Sequence, residues 1–330
     1  MKETTKTRLD LFTQNYQIIK GKFIWQNSLL KRLSALLYTA DNKVIDCDAI
    51  RESYDLIKEN TSAFSYFRGN TMITIATLLS LKEDKKNVLN NTMAVYDLMK
   101  DYKFRSSDYL VIAAYQIAAN TTSDNYLAVV RRARAFYDGM KNNHYLLTNQ
   151  NDYIYCAMLA MSNIDIPSSL EQMEQFYRTF KPIFYTGNGV QALSHVLILG
   201  EDYKELESRV LSLRDLFRQN NIKLDKENTL PSLGILALLP NKKDELVYSV
   251  QEVFQYLRSQ KGFGSWSIAS QELLLLSLSL ITYGCMDEIN SNIITTTLST
   301  SLTNIILAQQ ASMAAAVAAS SAAASASSSS

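Results

Sequence analysis

Glycine and proline are scarce in this sequence, with 10 Gly and 4 Pro among 330 residues. A chain so poor in turn formers is ill suited to a β-sandwich, a barrel or an array of βαβ units, and it reads as all-α. Histidine and cysteine are scarcer still, 2 and 3 residues, and Cys47, Cys156 and Cys285 lie far apart with no C-x-x-C spacing. That is too few soft ligands to build a zinc site, and an odd cysteine count argues against a disulfide framework. Three packed thiols are the simpler reading, since a nucleophilic cysteine needs a histidine beside it. Charge of one sign is missing too: Lys+Arg 33 against Asp+Glu 32 leaves +1, without the basic excess of a nucleic-acid binder. Met1 to Asp10 is polar with no apolar run behind it, so a cytoplasmic protein without a secretory signal is expected. No phosphate-binding G-x-x-x-x-G-K-[ST], no G-x-G-x-x-G, no H-E-x-x-H and no G-x-S-x-G occurs. The usual signatures of nucleotide, dinucleotide, metalloprotease and serine-hydrolase chemistry are therefore missing. No metal and no cofactor is expected.

What is present is apolar, 47% of residues, and it is organised as a repeat of about 40 residues. A basic residue closes each copy of a helical stretch, at Lys20, Lys58, Lys100, Lys141, Lys181, Arg218 and Arg258. One position earlier every copy is apolar. Four positions earlier six of the seven are aromatic (Tyr16, Tyr54, Tyr96, Tyr137, Tyr177, Phe254), with Arg214 the exception. Each anchor ends an amphipathic helix, called A here, whose stripe is clear in Leu206, Val210, Leu213 and Phe217 and again in Leu246, Val250, Val253 and Leu257. A cation in the last turn complements the negative end of the helix dipole, a simpler role than anion binding. A polar link follows, with one apolar residue read as an inward plug: Phe23, Phe64, Phe104, Tyr145, Tyr185, Ile222 and Phe263. Then comes a second helix, B, apolar nearly all round and so buried on most sides. Ser168 and Glu171 have the spacing of a capping box before the fifth A helix.

The expected architecture is seven αα-hairpins in one domain over residues 1–318. The hairpins fall at about 5–40, 47–82, 86–120, 123–162, 168–200, 202–239 and 242–284. A C-terminal helix over 289–318 carries the stripe Ile294, Leu298, Leu302, Ile305, Met313 and Val317, and 319–330 is a disordered Ala/Ser tail. A closed α/α toroid is favoured over an open superhelical solenoid, because an open stack needs polar capping helices and the last helix is not polar. That helix is too interrupted by Asn, Gln and hydroxyls to read as a span, which leaves membrane anchoring as the weakest reading.

Polar residues recur where B helices begin: Arg68 and Asn70, Arg105 and Asp108, Asn149 and Asp152, Asn188 and Gln191, Glu227, Trp266 and Glu272. Stacked in register they would ring a cavity, and His195 lies one turn beyond Gln191. Helix capping wants the same residue types at the same places and competes with this reading, and a buried histidine is more often a packed one than a base. Arg131, Arg132 and Arg134 could form a basic patch but read better as a solvated helix face. Gln260-Lys-Gly-Phe-Gly264-Ser-Trp266 resembles the Q-x-x-x-G-x-W motif of terpene cyclases, where Gln and Trp tie neighbouring hairpins together. The aspartate-rich acid motif of those enzymes is absent.

Six longer phrases carry a broader resemblance: FRGN (67–70), SSDYLVIAAYQIAAN (106–120), NDYIYCAMLAM (151–161), DKENTLPSLGILALLP (225–240), QKGFGSWSIASQELLL (260–275) and TTTLSTSLTNIILAQQ (295–310). They resemble an uncharacterised family of Gram-positive Bacillota, domain of unknown function 4003. The resemblance implies a cytosolic bacterial protein and brings no activity, cofactor or catalytic residue. Two functional expectations stand. One is a non-catalytic repeat protein binding a peptide, protein or small molecule on its inner helices or rim, with no nucleic-acid partner and a membrane partner disfavoured. The other is an enzyme in a toroid cavity using acids such as Asp108, Asp152, Glu227 or Glu272.

Overall fold

The structure is a computed structural model and describes residues 2–289 and Ile306. Among them are fourteen α-helices, three short 3-10 turns and no strand. The A helices are α1 (Glu3–Lys22), α3 (Cys47–Asn60), α5 (Lys85–Asp101), α7 (Tyr126–Asn143), α9 (Ile166–Phe184), α11 (Tyr203–Gln219) and α13 (Lys243–Ser259). Between them run the B helices α2 (Ser28–Ala40), α4 (Met72–Ser80), α6 (Asp108–Asn120), α8 (Tyr153–Met161), α10 (Gly187–Leu197), α12 (Leu230–Leu238) and α14 (Ser270–Ile289). The C-terminal helix and tail expected over 289–318 and 319–330 lie outside the described residues, apart from the ends of α14 and a buried Ile306.

The two helix types bury themselves differently, as their sequences require. In α11 the buried residues are Leu206, Val210, Leu213 and Phe217, one stripe with solvent on the other side. In α4, α8 and α12 the buried run is unbroken, from Met72 to Leu79, Tyr153 to Ala160 and Leu230 to Ala237. Such helices have no face to offer water, and the B helices pack on each other as well as on their own A partners. Gly234 shows how closely: a Cβ there would sit 2.9 Å from Leu193 Cδ1, so α12 and α10 touch through the missing side chain.

Aspartate starts many of the A helices. Asp46 Oδ1 accepts from the amides of Asp48 and Ala49 at 3.0 and 2.9 Å, Asp84 from Asn87 at 2.9 Å and Asp202 from Glu205 at 3.0 Å. Before α9 the cap is Asp165, accepting from the Ser168 amide at 3.1 Å. The expected Ser168–Glu171 capping box is therefore corrected, because α9 begins one turn earlier than those residues imply.

The chain forms two compact units. One, the N-proximal unit, comprises Tyr16–Tyr38, Ile45–Asn163 and, of the described residues after them, Ile306; the C-proximal unit comprises Met1–Asn15, Thr39–Val44 and, to the end of the continuous described stretch, residues 164–289. In the first, α3, α5 and α7 pack side by side and α6 packs on α8. In the second, α11 packs on α13, and α12 lies against both α10 and α14. The C-proximal unit also joins the start of the chain to its last hairpin. The rings of Phe12 and Phe263 are 5.6 Å apart, and the Tyr256 hydroxyl donates to Asp10.

Candidate functional site

Neighbouring B helices within a unit run in the same direction, which brings the links that precede them to one edge. Thr71 Oγ1, at the start of α4, donates to Asp108 Oδ1 at the start of α6 across 3.2 Å. The Arg105 amide, just before α6, donates to the Tyr153 hydroxyl at the start of α8 at 3.1 Å. In the C-proximal unit Thr186 and Asn188 donate to Glu227 at 3.3 and 3.1 Å, joining the starts of α10 and α12.

The anchor cations bind these links down. Lys141 Nζ donates to the Thr148 carbonyl at 2.6 Å and Lys181 Nζ to Tyr185 O at 3.2 Å. Arg258 reaches Phe263 O and Ile268 O at 3.0 and 3.1 Å, and Arg218 pairs with Asp225 at 2.8 Å. The aromatic column four residues earlier has its own explanation: Lys20, Lys58, Lys100 and Arg258 lie over the rings of Tyr16, Tyr54, Tyr96 and Phe254, 4.7 to 5.9 Å from the centroids. The cation column thus does more than complement the dipole.

The residues expected on the rim are largely occupied with this fastening. Arg68 donates to the carbonyls of Lys58 and Thr61 and caps the end of α3. Asp108 is half-buried against Gly69 and Thr71, and loss of water around it raises its pKa. Asp152 is buried as the third residue of a capping box, accepting the Asn149 amide at 2.8 Å, and burial pushes its pKa up to about 7. Glu227 is held by Thr186 and Asn188. Gln191 and His195 are buried in α10, while Glu272 is half-buried in the first turn of α14. Asn70 and the Arg105 side chain are exposed. Arg131, Arg132 and Arg134 are not an open patch: Arg132 holds Ala160 O and Ser162 O at 3.1 Å each, Arg131 the Tyr102 hydroxyl, and Arg134 both Asp138 and Lys103 O.

The expected plugs divide into two kinds. Phe23, Phe104 and Phe263 are buried as expected. Phe64, Tyr145 and Tyr185 are the reverse, 99%, 71% and 81% exposed, and that expectation is corrected. At Phe64 the reason is the 3-10 turn Tyr66–Arg68, which sends Phe67 inward against the Tyr96 ring at 5.2 Å and leaves Phe64 outside. Trp266 is fully exposed as well, and Gln260 reaches only the Ser259 hydroxyl, so the Q-x-x-x-G-x-W residues do not tie hairpins together here. Each unit therefore carries large apolar tips on the links from A to B. In the N-proximal unit these are Ile24, Trp25, Phe64, Tyr66, Tyr145 and Leu146, and in the C-proximal unit Tyr185 and Trp266.

A cleft of about 350 Å³ lies in the C-proximal unit, between the start of α1 and the helices α13 and α14. Lys2 and Arg8 face it from α1 and its approach, Glu245 and Glu252 from α13, over a floor that includes Leu280 and Ile281. The Tyr248 hydroxyl bonds Glu252, and that acceptor raises its pKa. None of the expected rim residues lines this cleft. Among the described residues no group of three or more His, Cys, Asp or Glu is placed to hold a metal ion, and Cys47, Cys156 and Cys285 are buried free thiols.

The model of a protein family of unknown function, DUF4003, matches residues 15–311. The chain belongs to the DUF4003 family. No curated protein and no solved structure gives a significant match. The DUF4003 match includes every link from A to B and all the exposed tips. It leaves out Lys2, Thr5 and Arg8, which form one wall of the cleft.

Proposed function

We propose that this DUF4003 member is a non-catalytic helical-repeat scaffold of the bacterial cytosol, which binds its partner through the edge made by the A-to-B links of its N-proximal unit. The observation that carries the reading is the concentration of exposed apolar tips there, on links that Arg68 and Lys141 tie to the fold. Apolar groups held rigidly in water mark interaction surfaces. The acids that an enzyme reading would use are occupied otherwise: Asp108 with Thr71, Asp152 with Asn149 and Glu227 with Asn188. We take the repeat count as seven; within the C-proximal unit the first helix meets the last hairpin through Phe12 with Phe263 and Asp10 with Tyr256.

Site-specific photo-cross-linking in cells tests the scaffold. A photoreactive residue at Phe64 or Tyr145 should give adducts, and one at Glu83 or Asp124, on the opposite edge, should give none. Equal yields from both edges would contradict the proposal.

A further inference from the structure

The turn between α1 and α2 has a composition that water does not favour. The Phe23 carbonyl accepts from the Gln26 amide at 3.1 Å, which closes a four-residue turn with Ile24 and Trp25 at its corners. Such corners ordinarily carry Gly, Pro, Asn, Asp or Ser. Here they carry two large apolar side chains, 75% and 65% exposed. The base beneath them is firm. Phe23 is buried, its amide donates to Ile19 O at 2.9 Å, and the Arg51 guanidinium lies 5.8 Å over its ring. On the far side Asn27 Oδ1 takes the Leu29 amide at 2.8 Å. Ile24 and Trp25 are exposed above this packed support, the Trp25 ring 5.7 Å from that of Phe23.

Charge on this turn has one sign. Residues 20–32 contain Lys20, Lys22, Lys31 and Arg32 and no acid, in a chain whose total is +1. Lys20 and Arg32 share the Tyr16 ring, 5.9 and 5.2 Å from its centroid. Lys31 and Arg32 are buried in α2, where burial and the positive charges of Lys20 and Arg32 lower the pKa of Lys31, whereas Lys20 and Lys22 at the end of α1 are exposed. The next tip on the same edge is Phe64. Helices α2 and α4 lie side by side in one direction, with Ser34 bonded to Thr77 at 2.8 Å and Tyr38 to Ser80 at 2.7 Å.

We propose that the α1–α2 turn docks this edge on an anionic lipid bilayer, with Ile24 and Trp25 entering the boundary between headgroups and acyl chains while the exposed Lys20 and Lys22 meet the lipid phosphates. The inference rests on the scaffold reading and names the partner of that edge. A soluble anion would use the cations and leave Ile24 and Trp25 in water. A neutral apolar partner would cover the tips and leave the exposed Lys20 and Lys22 facing no negative charge. An anionic bilayer supplies negative charge at its surface and apolar depth just beneath, and tryptophan is suited to that boundary. No span is involved: among the described residues no helix is long and apolar enough to cross a membrane.

The test is sedimentation of the full chain, carrying W266F so that Trp25 alone reports, with vesicles of phosphatidylcholine alone or mixed with phosphatidylglycerol. Binding should require phosphatidylglycerol, weaken as salt is raised, and shift Trp25 emission to the blue. I24S/W25S and K22E should each lower the affinity about tenfold or more with an unchanged melting temperature. Equal binding to both vesicles, an unmoved Trp25 emission, or full competition by inorganic phosphate would overturn the proposal. A cross-link from position 25 to a protein and none to lipid would overturn it while leaving the scaffold standing. Equal adduct yields from the two edges would remove the scaffold itself.

Discussion

The two edges of the hairpins use opposite chemistry. Where B helices return to A helices the links are tied to the fold. Asp46, Asp84, Asp165 and Asp202 cap the helices that follow, and Arg132 and Arg209 reach across to the last carbonyls of α8 and α12. Where A helices lead into B helices, the cations and the buried phenylalanines do the fastening, and other large apolar residues of the same links are left outside. On the first edge apolar exposure is limited, with Val44 and Leu127 at 54% and 42%, whereas Phe64, Leu146 and Trp266 on the second exceed 90%. One edge is built for stability and the other also for contact.

That contrast can be broken at several points. The largest effect is expected beneath the contact edge: Phe263→Ala, a fully buried plug, should cost about 3–5 kcal/mol in denaturant unfolding. A smaller loss would mean that the links are not held by their plugs. On the other edge Arg132→Ala strips the partner from the Ala160 and Ser162 carbonyls and should cost about 1–3 kcal/mol. Asp152 should act with the opposite sign. Its folded pKa of about 7 lies above the unfolded value near ~4, so the folded state holds the proton more tightly, and this stabilising contribution is present below pH ~4 and lost as pH rises to about 7. Asp152→Asn should therefore raise the melting temperature by a few degrees, ~1–2 kcal/mol, at pH 8 and not at pH 4. Asp84→Ala, a single cap, should cost about 1 kcal/mol.

The sequence showed the division into striped and wholly apolar helices because burial imposes a helical period on one and none on the other. The cation column was equally legible at the ends of the A helices. Its second role was not, since the carbonyls that Lys141 and Arg258 hold belong to links without regular structure. The aromatic column was visible as a pattern, and an i, i+4 spacing to a cation is the signal that explains it. Direction within the links was the main failure. Phe64 and Phe67 look alike in sequence, and a 3-10 turn decides which of them is buried. Rim residues offered two readings, helix caps or a ring around a cavity. Hydrogen bonds such as those from Thr71 to Asp108 and from Asn188 to Glu227 show instead how neighbouring hairpins are joined.

The central claim is that the tips of the contact edge do nothing for the fold. The direct measurement is the melting temperature of the chain with Ile24, Trp25, Phe64, Tyr145 and Leu146 all replaced by serine. Exposed positions give individual effects within about 0.5 kcal/mol, so the account predicts a melting temperature within roughly 5 °C of the parent. A fall of about 10 °C or more would show that these side chains are packed into the structure, and would contradict it.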